Sequence, residues 1–185
     1  MGLPCRVTYN QANYAASSKK PIDMTNLAPT QRIVMLQSLG SAPARLAGML
    51  EALPPADADW RPAPDQWSAR QLVTHLAAAE APFLERLRRV ASEDNPWLPY
   101  FGPEVARPDG EVNLHQALAN FQAGRERLLA FLSDLALEAW DRPAVHETMG
   151  PTNLALQVQN LINHDREHLA EVHKLASLRS ERAHA

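Results

Sequence analysis

The stretch Leu161-Ile162-Asn163-His164-Asp165-Arg166-Glu167-His168-Leu169 contains two histidines four positions apart. On an α-helix, residues four apart lie on the same face, one turn from each other. The same face carries a stripe of apolar residues on either side of the pair, namely Leu154, Val158, Leu161, Val172 and Leu175. Two polar imidazoles within an apolar stripe require a common partner that compensates for their burial, and a bound metal ion is the commonest such partner. The stretch therefore predicts a core-facing helix with two candidate metal ligands.

Three further segments repeat apolar residues at three- and four-residue spacing, which is typical of helices. They run over about 30–53, 68–91 and 113–135, and the helix with the histidine pair runs over about 152–178. Pro43 is expected to kink or split the first helix. Ser68 and Gln71 form the pattern of a capping box at the start of the second helix. Because no alternating strand pattern of any length occurs, the sequence predicts an all-α four-helix bundle.

The predicted bundle domain covers residues 29–178. Residues 1–28 mix prolines, lysines and small polar residues without a sustained period, which predicts an irregular N-terminal arm. Residues 179–185 are expected to be a frayed C-terminus. Residues 93–111 form a long crossover loop rich in prolines and aromatics, which could wall a pocket or serve as an ordered connection.

Composition narrows the class of protein. With 185 residues and a formal charge of −3, the chain predicts one domain without the basic footprint of a nucleic-acid-binding protein. Its one cysteine, Cys5, allows no internal disulfide, and no apolar run approaches a membrane span or a signal peptide. We therefore expect a soluble cytoplasmic protein; a small-molecule substrate is a separate expectation that composition does not give. Bundles of this kind often pair, so a homodimer is a further expectation that no sequence feature marks.

A third histidine, His75, lies in the middle of the inward stripe of the second helix. Sites in four-helix bundles are built from side chains that project inward from facing helices. His75, His164 and His168 are therefore predicted to hold a divalent metal ion with an open coordination position, the alternative being hydrogen-bonded core histidines. The remaining histidines are expected to be solvated or off the site: His115, His146, His173 and His184.

A competing motif overlaps the pair. Residues 164–168 match H-x-x-E-H, the inverted zinc-protease signature, in which Glu167 would be the general base. That class takes its third ligand, a glutamate, from well downstream, and only 17 residues follow His168. Glu167 is also expected to point away from the face that the two histidines share, so the three-histidine interpretation is favoured.

The chain resembles the DinB-like metal-dependent hydrolase superfamily of four-helix bundles over about residues 30–178. The marks of this resemblance are Trp60-Arg61-Pro62-Ala63-Pro64, Trp67-Ser68-Ala69-Arg70-Gln71, His75-Leu76 with Glu80 a turn later, and His164-Asp165-Arg166-Glu167-His168-Leu169. The resemblance implies one metal ligand from the second helix, matching His75, and two from the last helix, matching His164 and His168. It also implies a hydrolase or an S-transferase that uses a low-molecular-weight thiol such as mycothiol, bacillithiol or glutathione. A non-catalytic metal-binding or dimerising bundle remains the alternative.

Neither the metal nor the general base follows from these motifs. Zinc is the first expectation, but nickel, iron and manganese also accept imidazole ligands. Glu80 and Glu171 are the nearest carboxylates by helical position. Glu171, three residues after His168, could act in catalysis or orient a ligand through a hydrogen bond.

Overall fold

Four helices form the body of the molecule. The computed structural model describes residues 27–51, 53–101 and 112–183. The helices are α1 (Pro29–Glu51), α2 (Ala69–Ser92), α3 (Leu114–Asp134) and α4 (Leu154–Ala183). Helix α2 packs against α3 and α4, and α1 packs against α3 and α4. The predicted four-helix bundle is confirmed.

The helix bounds agree with the predicted ones to within a few residues. The largest difference is at the end of α4, which continues to Ala183 instead of about Leu178. Pro43 does not split α1, because it lies buried inside one continuous helix. Even α4, at 30 residues, is not apolar enough to cross a membrane, and neither is any other helix in the described ranges. The predicted N-terminal arm falls almost entirely outside the described residues, as do residues 102–111 of the crossover loop.

A small three-stranded sheet is the part of the fold that the sequence did not predict. Strands β1 (Trp97–Leu98), β2 (Pro143–His146) and β3 (Gly150–Asn153) lie in that order, with β1 parallel and β3 antiparallel to β2. Strands of two and four residues are too short to produce a readable alternation. The hairpin between β2 and β3 ends at Gly150, whose φ of 72° favours glycine.

Two apolar clusters make up the core, and a polar layer separates them along the bundle. One cluster includes Leu39, Ala79, Leu128 and Ile162, and the other includes Ala42, Leu76, Phe121 and Leu169. On each helix the two clusters meet across a gap of a few residues. His164, Asp165 and His168 lie between the two clusters on α4, and Arg125 lies between them on α3.

Candidate metal centre

A capping box fixes the start of α2 and with it the position of His75. The Gln71 N–H donates to Ser68 Oγ at 3.3 Å, and the Ser68 N–H donates to Gln71 Oε1 at 3.0 Å. This reciprocal pair confirms the predicted cap and satisfies two amide donors at the end of the helix. Two turns further on, the His75 side chain points into the core, with 5% of the residue exposed.

The three predicted imidazoles come together between α2 and α4. One ligand atom from each of His75, His164 and His168 lies within 4.8 Å of the other two. The Nε2 atoms of His75 and His164 are 3.0 Å apart. The ring centroids are separated by 4.6–5.1 Å, so all three rings surround one point.

Glu171 determines which nitrogen of His168 is available. His168 Nδ1 lies 2.9 Å from Glu171 Oε2, and a carboxylate can only accept, so Nδ1 carries the proton. The lone pair of the ring is then on Nε2. A carboxylate that fixes the tautomer in this way is the usual support for a metal-ligating histidine. The contact agrees with an orienting role for Glu171, and a direct catalytic role remains a prediction.

His164 is held in its neutral form. Burial lowers its pKa well below the ordinary value, and the neighbouring His168, His75 and Arg125 lower it further. Its Nδ1 is buried and has no hydrogen-bond partner among the described residues. A neutral imidazole keeps a lone pair at neutral pH, which is the form that a metal ion requires.

The arrangement fits a divalent metal ion. With bonds of about 2.0–2.1 Å, two nitrogens in a tetrahedral site lie roughly 3.3 Å apart. The one pair at 3.0 Å is close to that value, and the other ligand atoms, all within 4.8 Å, would have to approach by at most about 1.5 Å. Three neutral imidazoles suit zinc, nickel, iron and manganese alike. Among the described residues, the third member of the group is His75 and not a carboxylate, and Glu167 is exposed. Both observations argue against the inverted-protease interpretation.

Two aromatic side chains border the imidazoles. The Trp67 ring lies 4.9 Å from the His75 ring and 6.1 Å from the His168 ring. The Phe83 ring lies 5.5 Å from the His164 ring. Trp67 stands directly before the cap of the helix that carries His75, which is the signal by which the sequence could have placed it at the site.

The Glu80 carboxylate forms an ion pair with Arg125 and lies outside the group of three imidazoles. Arg125 donates from Nε and Nη2 to Glu80 at 3.1 and 2.6 Å, and from Nη1 and Nη2 to Asp165 at 2.7 and 3.1 Å. Arg125 Nη1 also donates to the Leu39 carbonyl at 2.9 Å. We call Glu80, Arg125 and Asp165 the arginine clamp. Burial raises the pKa of both carboxyl groups, and the guanidinium opposes that rise.

The positions of the other histidines agree with the prediction in part. His115 is exposed, as predicted, and His173 lies outside the group of three imidazoles, in agreement with its predicted place off the site. His146 is not solvated, because it lies on the inner side of β2 and only 5% of it is exposed. The prediction was wrong since it treated the segment as a loop. His184 lies outside the described residues.

Comparisons with known proteins agree with this fold. A family model described as the DinB superfamily matches residues 38–172. A protein of Oceanobacillus iheyensis named "Putative metal-dependent hydrolase OB0413" is 28% identical over 108 residues, which are 57% of this chain and 62% of that protein. The chain therefore matches less than two thirds of that relative's length.

Two solved structures from Bacillus subtilis share the architecture. YfiT, described as "a probable metal-dependent hydrolase with an unusual four-helix bundle topology", superposes with a TM-score of 0.73 at 21% identity, over 87% of this chain and 93% of YfiT. The DinB-like protein YjoA superposes with a TM-score of 0.57 at 17% identity, over 80% of this chain and 92% of YjoA. At these identities the likeness supports the fold alone.

Proposed function

The chain belongs to the DinB superfamily, and on that premise we propose that it is a metal-dependent enzyme whose divalent ion is held by His75, His164 and His168. The observation that carries the proposal is the convergence of three buried or half-buried imidazoles from two helices. Burying three imidazoles without a shared partner would carry several desolvation costs, which a common ion removes. Zinc is the metal we propose first.

The proposed reaction is the activation of a nucleophile, which is water in hydrolysis or a low-molecular-weight thiol in S-transfer. A bound divalent ion supplies Lewis-acid chemistry that lowers the pKa of such a nucleophile. The names of the relatives support hydrolysis, and the thiol reaction remains the second candidate because it needs the same chemistry.

The chain's own residues would shape and hold the site. Glu171 keeps the proton on His168 Nδ1, which directs Nε2 inward. Trp67 and Phe83 cover the imidazoles on two sides with apolar rings, which excludes water from part of the site and favours an apolar portion of the substrate.

Metal analysis tests the proposed site. The purified protein should contain about one divalent ion per chain. His168→Ala should lose this ion, because the two remaining ligands, His75 and His164, bind a metal far more weakly than all three together. His173→Ala is the matched control, because His173 is exposed on the same helix and outside the cluster. Unchanged metal content in His168→Ala would show that these imidazoles do not hold the ion.

A turnover screen separates the candidate reactions. An electrophilic substrate is followed with mycothiol, bacillithiol, glutathione or no thiol, and ester and amide substrates are followed in parallel. Thiol-dependent turnover that His164→Ala abolishes supports the S-transferase, and thiol-independent turnover supports the hydrolase. Metal binding without turnover in any arm would favour the alternative, a non-catalytic metal-binding or dimerising bundle.

A further inference from the structure

Arg86 is a buried cation without an anionic partner among the described residues. Only 8% of it is exposed. Its Nη2 donates to the Pro99 carbonyl at 2.6 Å, its guanidinium lies 3.9 Å from the centre of the Phe101 ring, and none of the ion pairs of the described residues includes it. Burial lowers the pKa of Arg86 to about 10. Arg125, the other deeply buried arginine, has two carboxylates, so Arg86 has unused capacity for an anion.

His146 provides a second buried donor on the same side. The Thr148 N–H donates to His146 Nδ1 at 3.2 Å, so Nδ1 is the acceptor and the ring proton is on Nε2. No described residue accepts a hydrogen bond from that Nε2. The sheet brings the two side chains together, because Arg86 donates to the carbonyl of Pro99 and the adjacent Leu98 pairs with His146 across β1 and β2. Burial lowers the pKa of His146 and the charge of Arg86 lowers it further, whereas Glu147 raises it. The two side chains together present N–H groups without an acceptor.

This pair lies within reach of the candidate metal centre. Arg86 is eleven residues after His75 on α2, which is three turns along the same face. Phe83 stands between them, with its ring centre 5.5 Å from the His164 ring and 5.8 Å from the Arg86 guanidinium. Because both distances are measured from the Phe83 ring, the Arg86 guanidinium lies no more than about 11 Å from the His164 ring.

We propose that Arg86 and His146 form a carboxylate-binding subsite that orients the substrate of the metal centre. The guanidinium fork can donate two parallel hydrogen bonds to a carboxylate, and the His146 Nε2–H adds a third donor. The substrate would be a small molecule with a carboxylate several bonds from its reacting atom and an apolar part against Phe83 and Phe101. Naming the substrate rests on the proposed function, whereas the subsite can be tested without turnover or metal.

Calorimetric titration of the full-length protein with benzoate and with benzamide tests the subsite. The two probes have nearly the same shape, and only benzoate carries a charge. We expect benzoate to bind at least tenfold more tightly than benzamide, with and without zinc. Arg86→Met should weaken benzoate binding at least tenfold, and Arg86→Lys should recover part of it. Arg88→Met is the control, because Arg88 is exposed two residues further along α2.

The outcomes are separable from those of the metal centre. Benzoate binding that Arg86→Met leaves unchanged, or equal binding of benzamide, overturns the subsite even if zinc binds and turnover occurs. Tighter binding of inorganic phosphate than of benzoate overturns the carboxylate assignment. If Arg86→Met does not fold, the Arg86 Nε–H resonance of the wild-type protein decides, since benzoate must shift it in a saturable way and benzamide must not.

Discussion

Replacing Arg125 by methionine should destabilise the fold by about 3–5 kcal/mol at pH 7. The guanidinium is 1% exposed and donates five hydrogen bonds, four of them to the carboxylates of Glu80 and Asp165. Methionine fills much of the same volume, so the cavity it leaves is small. The loss instead comes from two carboxylates that remain buried without a cation, which is the costliest way to break such a pair.

The destabilisation should depend on pH in a defined direction. Without the guanidinium, burial and mutual repulsion raise the pKa values of Glu80 and Asp165 further above their ordinary values of 4.5 and 3.8. A carboxyl group whose pKa is higher in the folded state stabilises the fold below its unfolded pKa and loses that contribution as the pH rises. The deficit of Arg125→Met relative to wild type should therefore shrink between pH 7 and pH 5.

Urea unfolding followed by circular dichroism, with chelator present to remove metal, measures both effects. Arg88→Met is the control, because Arg88 is exposed and its charge does not perturb the clamp carboxylates, so its replacement should change the free energy of unfolding by no more than about 0.5 kcal/mol. The double variant Glu80→Gln with Arg125→Met should recover part of the loss, since it removes one buried charge. A loss below about 1 kcal/mol, or one that is equal at pH 7 and pH 5, would refute the reasoning.

Two further predictions concern packing and the surroundings of the imidazoles. Gly124→Ala should destabilise the fold by about 1–3 kcal/mol, because a Cβ at this position would lie 2.7 Å from Glu80 Cβ and Cγ. Gly48→Ala should instead stabilise the fold by about 0.5–1 kcal/mol, because a Cβ there meets nothing within 4 Å. Urea unfolding measures both changes, and equal effects would contradict the steric argument. Adding zinc to the metal-free protein should change its tryptophan emission through Trp67, whose ring lies 4.9 Å from that of His75; the same response in Trp67→Phe would exclude that origin.

The sequence predicted the parts of the molecule that follow from helical periodicity. The four helices, the cap at Ser68 and the meeting of His75 with His164 and His168 all depend on local spacing and on one packing rule, that inward faces meet. The helix pairing itself did not need to be known in detail. Two facing helices with histidines on their inward faces were sufficient to predict that the side chains converge.

What the sequence did not predict depends on contacts between distant segments. Arg125 falls on the inward stripe of α3, four residues after Phe121, but one buried arginine does not indicate which carboxylates it binds. Glu80 was therefore named only as a carboxylate near the site, and its pairing with Arg125 was not predicted. His146 was misjudged because its burial is created by the pairing of β2 with two strands too short to recognise.

The arginine clamp lies next to the imidazoles on α4, so it can help to position them. His164 and Asp165 are neighbours on α4, about 100° apart around the helix, so one side chain contacts His75 while the other reaches Arg125. Since Arg125 also holds Glu80 of α2 and the Leu39 carbonyl of α1, one guanidinium joins all four helices at the level of the histidines. The spacing between α2 and α4 is thus set by ion pairs that need no metal. We therefore expect the helices to stay folded when a chelator removes the metal. The free energy of ion binding would then contribute to metal affinity and not to folding of the chain.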